Sequence, residues 1–192
     1  MARRRGFTLV ELLVVIGILA VLIGLLFPLL TRTRAAGNRV ACRANLSDIG
    51  RMFQMYLNDS KNKLPCIQTM PSVQPPEPPV LGKPATLVLE PYTKDAKKVW
   101  RCPADRITLL IEGAPVGFET YFEREGLSYF YNPRLSIDFA GQQINDTPLY
   151  QHGKQNQLRI FNDFEPFHGP ANTNGSCNYL FADMHVGDLA NE

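Results

Sequence analysis

The most pronounced pattern in the chain is an apolar run near its N-terminus, at residues 7–30. Its 24 residues contain a single charged side chain, Glu11. At about 1.5 Å per residue, a helix of this length measures roughly 36 Å, which is enough to cross a hydrocarbon core of about 30 Å. The run is too long for the apolar core of a secretory signal peptide, and the residues after it, 31–34, read Thr-Arg-Thr-Arg rather than a small-residue cleavage site. The pattern therefore predicts a transmembrane helix over 7–30.

An amphipathic stripe continues the helical pattern over residues 31–58. Its apolar side chains recur at spacings of four, three, four and three residues, which is the period of one helix face. These side chains are Cys42, Leu46, Ile49, Phe53 and Tyr56. Polar residues at 58–63, with Pro65 beyond them, predict the end of the helix. We therefore expect the second half of the helix to pack beneath a globular domain.

The rest of the chain divides into a proline-rich region at 59–98 and a β-prone region at 99–192. Six prolines between positions 70 and 84 exclude a helix or a central strand there and predict an extended loop, with a short helix around Leu87 and Leu89. Short β-prone runs, separated by Gly, Pro and Asn, follow at 99–102, 127–131, 158–163, 178–182 and 185–189. Short strands after one long helix indicate an α+β fold, in which the helix packs on a small antiparallel sheet.

Glu11 is the residue that a plain membrane anchor does not explain. An acid at the centre of a spanning helix costs roughly 2.5–3.5 kcal/mol, and intramembrane acids usually have a partner. Near the start of a helix, the helix dipole tolerates an acid. The carboxylate could also meet the N-terminal amine of a neighbouring subunit, provided that the chain begins nearby. Cleavage between Gly6 and Phe7 would create that amine, so we interpret Glu11 as an assembly residue.

The residues around this acid read Arg5-Gly6-Phe7-Thr8-Leu9-Val10-Glu11-Leu12-Leu13-Val14-Val15. This segment resembles the class III signal and N-terminal methylation motif of type IV pilins and type II secretion pseudopilins. The resemblance implies that residues 1–6 are a leader peptide. It also implies that a prepilin peptidase cuts after Gly6 and methylates the amine of Phe7, and that the fold is pilin-like.

The same resemblance implies a location and a set of partners. The location is the bacterial inner membrane, crossed once, with a cytoplasmic N-terminus and a periplasmic head, and after assembly a periplasmic or surface filament. The partners are further copies of the chain, other pseudopilins, the prepilin peptidase and the inner-membrane assembly platform. Pro28 falls where many relatives carry a helix-weakening proline that is associated with local melting in the filament. A simple kink at the membrane edge explains Pro28 equally well.

The charge of the chain argues against nucleic-acid binding. The full chain has 20 basic and 18 acidic residues, a net charge of +2. Residues 1–6 contain three arginines and no acid, so their removal leaves 17 basic against 18 acidic residues. A cleaved chain therefore lacks the basic surface that nucleic-acid binding requires. Arginines flank the apolar run on both sides, so the positive-inside rule does not orient the helix.

The globular half carries a second resemblance, in the order of four segments at 99–105, 128–133, 167–169 and 178–186. It resembles the pseudopilin-like proteins that are abundant in Planctomycetes and Verrucomicrobia, which end in an F-A-D-G-H-V strand–turn–strand motif. Met184 replaces the usual glycine of that motif. If the turn needs a positive φ, methionine costs about 1 kcal/mol more than glycine there.

The chain has four cysteines, Cys42, Cys66, Cys102 and Cys177. Four cysteines allow three complete pairings, and the sequence does not choose among them. A domain outside the cytoplasm would permit disulfides. Because the cysteines are far apart and form no C-x-x-C pair, their spacing does not indicate a zinc site.

Two groups of polar residues could bind a metal ion. The first offers two imidazoles and two carboxylates if the C-terminal strands pair, which is a transition-metal set. Its members are Asp163, His168, Asp183 and His185. The alternative is that both histidines hydrogen-bond the sheet and fix its turns. The second is the Asn- and Gly-containing loop at 172–176, which could bind Ca²⁺ through Asn174 with Asp163 and Asp183 as acidic ligands. Hydrogen-bonded Asx turns explain that loop as well.

No enzyme is predicted, because the serines lack a G-x-S-x-G context and the chain has neither a P-loop nor a G-x-G-x-x-G segment. We therefore predict a structural subunit that polymerises through its N-terminal helix. The filament is a type II secretion pseudopilus or a type IV pilus-like filament. The alternative is a membrane-anchored periplasmic binding module or metal-dependent enzyme that uses His168, Asp183 and His185.

Overall fold

The apolar stripe of the N-terminal helix forms one side of the hydrophobic core. The computed structural model of the protein describes residues 9–68, 70, 82–93, 97–107 and 117–188. Helix α1 (Leu9–Asp59) contains both the apolar run and the stripe. Cys42, Leu46, Ile49 and Phe53 of the stripe are fully buried. The helical period read from the sequence therefore identifies the face of α1 that the protein buries.

The chain divides into two units, Met1–Gly37 and Asn38–Glu192. In the first unit, every described residue belongs to α1 and is exposed. Its most apolar stretch of 18 residues has a mean hydropathy of 3.0, and none of that stretch is buried within the chain. By length and composition α1 can therefore cross a membrane. Pro28 lies inside α1 and does not end it.

The second unit contains a four-stranded antiparallel sheet with the strands in chain order. The strands are β1 (Tyr129–Tyr131), β2 (Arg159–Asp163), β3 (Tyr179–Phe181) and β4 (Val186–Gly187). Tyr131 pairs with Phe161, Phe161 with Leu180, and Leu180 with Val186. A long helix with a small antiparallel sheet confirms the predicted α+β, pilin-like fold.

Short helices connect these elements. They are α2 (Ala85–Val88), α3 (Glu90–Thr93), α4 (Tyr121–Glu125), α5 (Pro133–Asp138), α6 (Pro148–Gln151), and the 3₁₀ turns Lys97–Trp100, Ile144–Asp146 and Gln155–Gln157. Side-chain caps set where two of them begin. Thr120 accepts a hydrogen bond from the Glu123 amide at the start of α4, and Asn132 accepts one from the Arg134 amide at the start of α5.

Aromatic side chains join α1 to the sheet. The Phe53 ring meets the Phe161 ring edge-on, with 6.0 Å between centroids, and Tyr131 meets Phe161 at 5.1 Å. At Gly50 of α1, a Cβ atom would lie 2.9 Å from a methyl carbon of Leu180. The second half of α1 therefore lies against β2 and β3, and glycine allows the closest approach.

The prediction of a strand at 99–102 is wrong. Residues Lys97–Trp100 form a 3₁₀ turn, and the amide of Cys102 donates to the side chain of Ser128 (3.0 Å) rather than to a neighbouring strand. Pro103 follows and has no amide hydrogen with which to extend a ladder. The apolar residues of this run are buried in the core instead, with Trp100 at 3% exposure.

Most of the proline-rich segment lies outside the described residues, at 71–81. The short helix expected after it corresponds to two single turns, α2 and α3, on either side of Leu89. Leu89 itself is fully buried. The other predicted strand runs contain β1, β2, β3 and β4 in order.

Candidate functional site

The N-terminal segment offers a continuous apolar surface that carries one acid. Glu11 lies in the first turn of α1 and is exposed within the chain. The apolar side chains around and beyond it are exposed too, for example Leu9 (78%), Leu25 (71%) and Phe27 (67%). Exposed apolar area costs about 25 cal/mol per Å² in water, so this surface requires lipid or other helices to cover it. Gly6 and Phe7, the predicted processing site, lie outside the described residues.

A disulfide in the globular unit joins α1 to the segment before α4. It links Cys42 and Cys102, which are separated by 60 positions in the sequence and by 5.0 Å between Cα atoms. Of the three complete pairings that the sequence left open, one contains this link, and the structure forms this link without its complement. Cys66 and Cys177 are free; Cys66 is exposed, and Cys177 is half-buried.

Hydrogen bonds fix the loop that carries Cys102. Ser128 accepts from the Cys102 amide and donates to a carboxylate oxygen of Asp105 (2.6 Å). Asp105 also accepts from the backbone amides of Tyr121 and Phe122, at 3.0 and 2.8 Å. Burial raises the pKa of Asp105 above its ordinary value, while these hydrogen bonds act in the opposite direction.

Asp163 and His168 lie directly beside the disulfide. Asp163 ends β2, and His168 follows in a loop where its amide donates to the Ser176 carbonyl oxygen (3.0 Å). The His168 Nε2 atom lies 3.4 Å from Asp163 Oδ2 and 3.6 Å from Cys102 Sγ. The side chains of both residues are buried, at 0% exposure for Asp163 and 1% for His168. Asp163 and His168, two residues of the predicted transition-metal site, are therefore adjacent in the structure. Cys42 and Cys102 lie beside them.

The other two members, Asp183 and His185, lie in the turn between β3 and β4. His185 Nδ1 is 2.5 Å from Asp183 Oδ1, and the His185 ring stacks on the Phe181 ring with 4.4 Å between centroids. Among the described residues, the group of ligand atoms that includes Asp163 and His168 contains Cys42 and Cys102 and contains neither Asp183 nor His185. The contacts of His185 therefore agree with the alternative to metal binding, in which the histidines fix the turns of the sheet.

The loop predicted to bind Ca²⁺ borders an open pocket of about 310 Å³. Asn174 lines this pocket together with Tyr179 and Asp188. Asp163 and Asp183 are not among the residues that line it, and Asp163 instead accepts two hydrogen bonds from Asn178. Calcium binding by Asn174, Asp163 and Asp183 stays a prediction.

Sequence reasoning identified Asp163 and His168 but missed the two cysteines that lie beside them. The helical period placed Cys42 on the buried face, which was one signal of its position. Nothing in the local sequence placed Cys102 opposite it, because that contact arises from the loop conformation that Ser128 and Asp105 hold.

Comparison with known proteins identifies the N-terminal segment. The family model described as the prokaryotic N-terminal methylation motif matches residues 1–27. The chain is also similar to the type IV wide pilus major component PilA4 of Thermus thermophilus, with 39% identity over 62 residues. That alignment covers 32% of this chain and spans 47% of the length of the relative. No solved structure matches the chain significantly.

Proposed function

We propose that this chain, which carries the N-terminal motif of the type IV pilin and pseudopilin family, is a prepilin-like structural subunit and not an enzyme. Cleavage after Gly6 exposes the amine of Phe7, which is methylated, and the mature subunits polymerise through α1. The observation that carries the proposal is the exposed apolar half of α1, which contains an acid in its first turn.

Assembly exchanges lipid contacts of α1 for contacts with neighbouring helices. Because lipid tails are as apolar as leucine, this exchange is driven by close packing and by polar contacts between helices rather than by the hydrophobic effect. Gly17 and Gly24 have open space where a Cβ would lie, so they leave room for the backbone of a neighbouring helix to approach. The apolar half of α1 thus suits a helical filament core.

Glu11 sets the register of this packing. A carboxylate at membrane depth costs a few kcal/mol, and an oppositely charged partner offsets that cost. The methylated amine of Phe7 in the adjacent subunit has the required charge. Each subunit that enters the filament therefore places its N-terminus near the Glu11 side chain of a neighbour.

The proposed location is the bacterial inner membrane before assembly, with a cytoplasmic N-terminus and a periplasmic head. The proposed partners are other copies of the chain, other pseudopilins, the prepilin peptidase and the inner-membrane assembly platform. The Cys42–Cys102 disulfide supports a head outside the cytoplasm, because disulfides persist in oxidising compartments. The similarity to a type IV wide pilus component of Thermus thermophilus supports a pilus-like filament. The other filament that we consider is a type II secretion pseudopilus.

The sharpest test compares two substitutions at Glu11. Glu11→Gln keeps the shape of the side chain and removes its charge, whereas Glu11→Asp keeps the charge. We expect Glu11→Gln to lower filament yield by at least about tenfold, which corresponds to about 1.4 kcal/mol of lost contact energy. Glu11→Asp should retain partial assembly. Glu119→Gln, at an exposed acid of the head, is the matched control and should assemble normally.

Intact mass and N-terminal sequencing test the processing step. The proposal expects a mature chain that starts at a methylated Phe7. A membrane-bound chain that retains residues 1–6, or wild-type filament yield from Glu11→Gln, would contradict the proposal and favour a permanent anchor. Detection of the Cys42–Cys102 disulfide in each variant verifies that the head is folded.

A further inference from the structure

Four buried side chains of different kinds converge where α1 meets the end of β2. They are Cys42, Cys102, Asp163 and His168, and each offers a ligand atom within 4.8 Å of the others. Cys42 and Asp163 are fully buried and Cys102 is 1% exposed, and the His168 side chain is 1% exposed. A carboxylate and an imidazole beside two sulfurs are unusual in a protein interior, where buried polar groups normally have complete hydrogen-bond partners.

The hydrogen bonds at this cluster are incomplete. Asp163 Oδ1 and His168 Nδ1 are buried and have no hydrogen-bond partner within the described part of the chain. The His168 Nε2 atom lies 3.4 Å from Asp163 Oδ2 and 3.6 Å from Cys102 Sγ. A good N–H···O bond is about 2.7–3.2 Å long, so the contact with Asp163 is longer than such a bond.

The same two distances match a tetrahedral metal site. With Zn–N and Zn–O distances of about 2.0–2.2 Å and a Zn–S distance of about 2.3 Å, neighbouring ligand atoms are about 3.4–3.6 Å apart. The N–O and N–S distances at His168 already have these values. The two sulfurs must separate for both to bind the ion, because they are bonded to each other in the disulfide.

We propose that the reduced protein binds one Zn²⁺ ion at Cys42, Cys102, Asp163 and His168, and that formation of the Cys42–Cys102 disulfide excludes the metal. A dithiol reductant supplies two electrons and two protons, which convert the disulfide to two thiols while the dithiol becomes a disulfide. Zinc then displaces both thiol protons as the thiolates bind it. A small-molecule disulfide reverses the order. It takes two electrons from the thiolates and two protons from solvent to become a dithiol, and the zinc ion is released as the sulfur–sulfur bond forms.

The donor set favours zinc over the hard cations. Thiolate and imidazole ligands select zinc and similar transition metals, whereas Ca²⁺ and Mg²⁺ prefer oxygen donors alone. Four protein ligands in a buried position leave no open coordination position, which is typical of structural rather than catalytic zinc. Asn178 donates two hydrogen bonds to Asp163 Oδ2 and so holds the carboxylate in place, as supporting residues do in zinc sites.

The consequence is that α1 is linked to the head in both redox states. The disulfide connects α1 to the loop after Lys97–Trp100. The metal would connect the same two segments and also the end of β2 and the loop after it. The head of a newly made chain would therefore have its cross-link before an oxidant reaches it. This inference is independent of filament assembly, because every residue involved lies in the globular unit.

The experiment uses the full chain in detergent, reduced anaerobically with dithiothreitol and desalted. Cobalt(II) is the probe, because tetrahedral thiolate-bound cobalt absorbs visible and near-ultraviolet light and zinc displaces it. We expect one cobalt ion per reduced chain, displaced by one zinc ion, and no such spectrum from the oxidised chain. Absence of the tetrahedral spectrum in the reduced wild-type chain would overturn the proposal.

Variants assign the ligands. His168→Gln and Asp163→Asn should each weaken cobalt binding by more than about 100-fold, beyond the 10–100-fold typical of supporting residues. Thermal unfolding of the oxidised forms shows that these variants fold. Cys66→Ser and Cys177→Ser are the matched controls and should bind cobalt as the wild type does. If binding instead depends on Cys66 or Cys177, or survives His168→Gln in a folded variant, the four-residue site is wrong.

Discussion

Asn178 donates two hydrogen bonds to the same carboxylate oxygen of Asp163, one from its backbone amide and one from its side-chain amide, each 2.8 Å long. Asp163 ends β2, and Asn178 directly precedes β3, so the pair fixes where the two strands meet. Both residues are fully buried. A carboxylate at such depth depends on its donors, since burial without them is unfavourable.

Asn178→Ala should therefore destabilise the head. The substitution removes one of the two donors and leaves a buried carboxylate less well paired, at a cost of about 1–3 kcal/mol in the free energy of unfolding. Denaturant unfolding of the oxidised chain in detergent measures the change. Asn156→Ala, at an exposed position, should stay within about 0.5 kcal/mol of wild type. Equal stability of the two variants would mean that the side-chain donor to Asp163 contributes nothing.

Met184 should be less favourable than glycine for the backbone of the β3–β4 turn. Its φ is 67°, and the Met184 amide donates to the Phe181 carbonyl oxygen while the Phe181 amide donates to the His185 carbonyl oxygen. This is a tight turn followed by a left-handed residue, where glycine has no steric cost. Because the Met184 side chain also packs against the core, the informative comparison is between Met184→Gly and Met184→Ala.

We expect Met184→Gly to be more stable than Met184→Ala by about 1 kcal/mol, since alanine keeps the left-handed strain and glycine does not. Met55, an exposed methionine within α1, is the matched control position. There the order should reverse, with glycine less stable than alanine by about 1 kcal/mol. Thermal or denaturant unfolding of the four variants makes the comparison. The same order at both positions would contradict the assigned turn.

The sequence predicted the elements whose pattern is local. Spacings of three and four identified the buried face of α1 at Leu46, Ile49 and Phe53. The β-prone run that failed, at 99–102, has the composition of a strand but lies beside Pro103 and a side-chain acceptor, Ser128. Its apolar residues are buried in a 3₁₀ turn instead of in a strand. The apolar composition of this run indicated that it is buried, but it did not determine whether its backbone pairs with another strand.

The candidate metal ligands also show that local sequence patterns do not determine contacts between residues far apart in the chain. Asp163 and His168 are five positions apart, and the end of a strand brings them together. Asp183 and His185 are two positions apart in a turn, and they pair with each other. Cys42 and Cys102 meet only because the whole head folds against α1. No rule of sequence spacing relates two cysteines that are 60 positions apart, so the sequence could not select this disulfide pairing.

We expect any side chain at position 175 to weaken the Arg39–Asp188 ion pair. Its φ is +78°, and a Cβ atom there would lie 2.4 Å from a guanidinium nitrogen of Arg39. That guanidinium is 2.8 Å from Asp188, and both side chains are partly buried. Gly141 has nearly the same φ, +77°, with open space around it, and is the matched control.

Both Gly175→Ala and Gly141→Ala should lose about 1–2 kcal/mol through left-handed strain. Gly175→Ala should lose up to about 1 kcal/mol more, because Arg39 must move away from Asp188. In an Arg39→Ala background the extra loss should disappear, and a double-mutant cycle by denaturant unfolding measures it. An extra loss that persists without Arg39 would show that another contact is responsible.

The four cysteines should differ in their reaction with a maleimide on the folded, non-reduced chain. Cys66 is exposed and should react first. Burial raises the pKa of the Cys177 thiol, and the nearby Asp163 carboxylate adds to the shift, so Cys177 holds less reactive thiolate at about pH 8 and should react more slowly. Its rate should keep rising with pH above that point. Cys42 and Cys102 should be labelled only after reduction.

Peptide mapping by mass spectrometry reads the four sites separately, with Cys66→Ser and Cys177→Ser to assign the two rates. Labelling of Cys42 or Cys102 in the non-reduced chain, or faster labelling of Cys177 than of Cys66, would contradict this arrangement of the thiols.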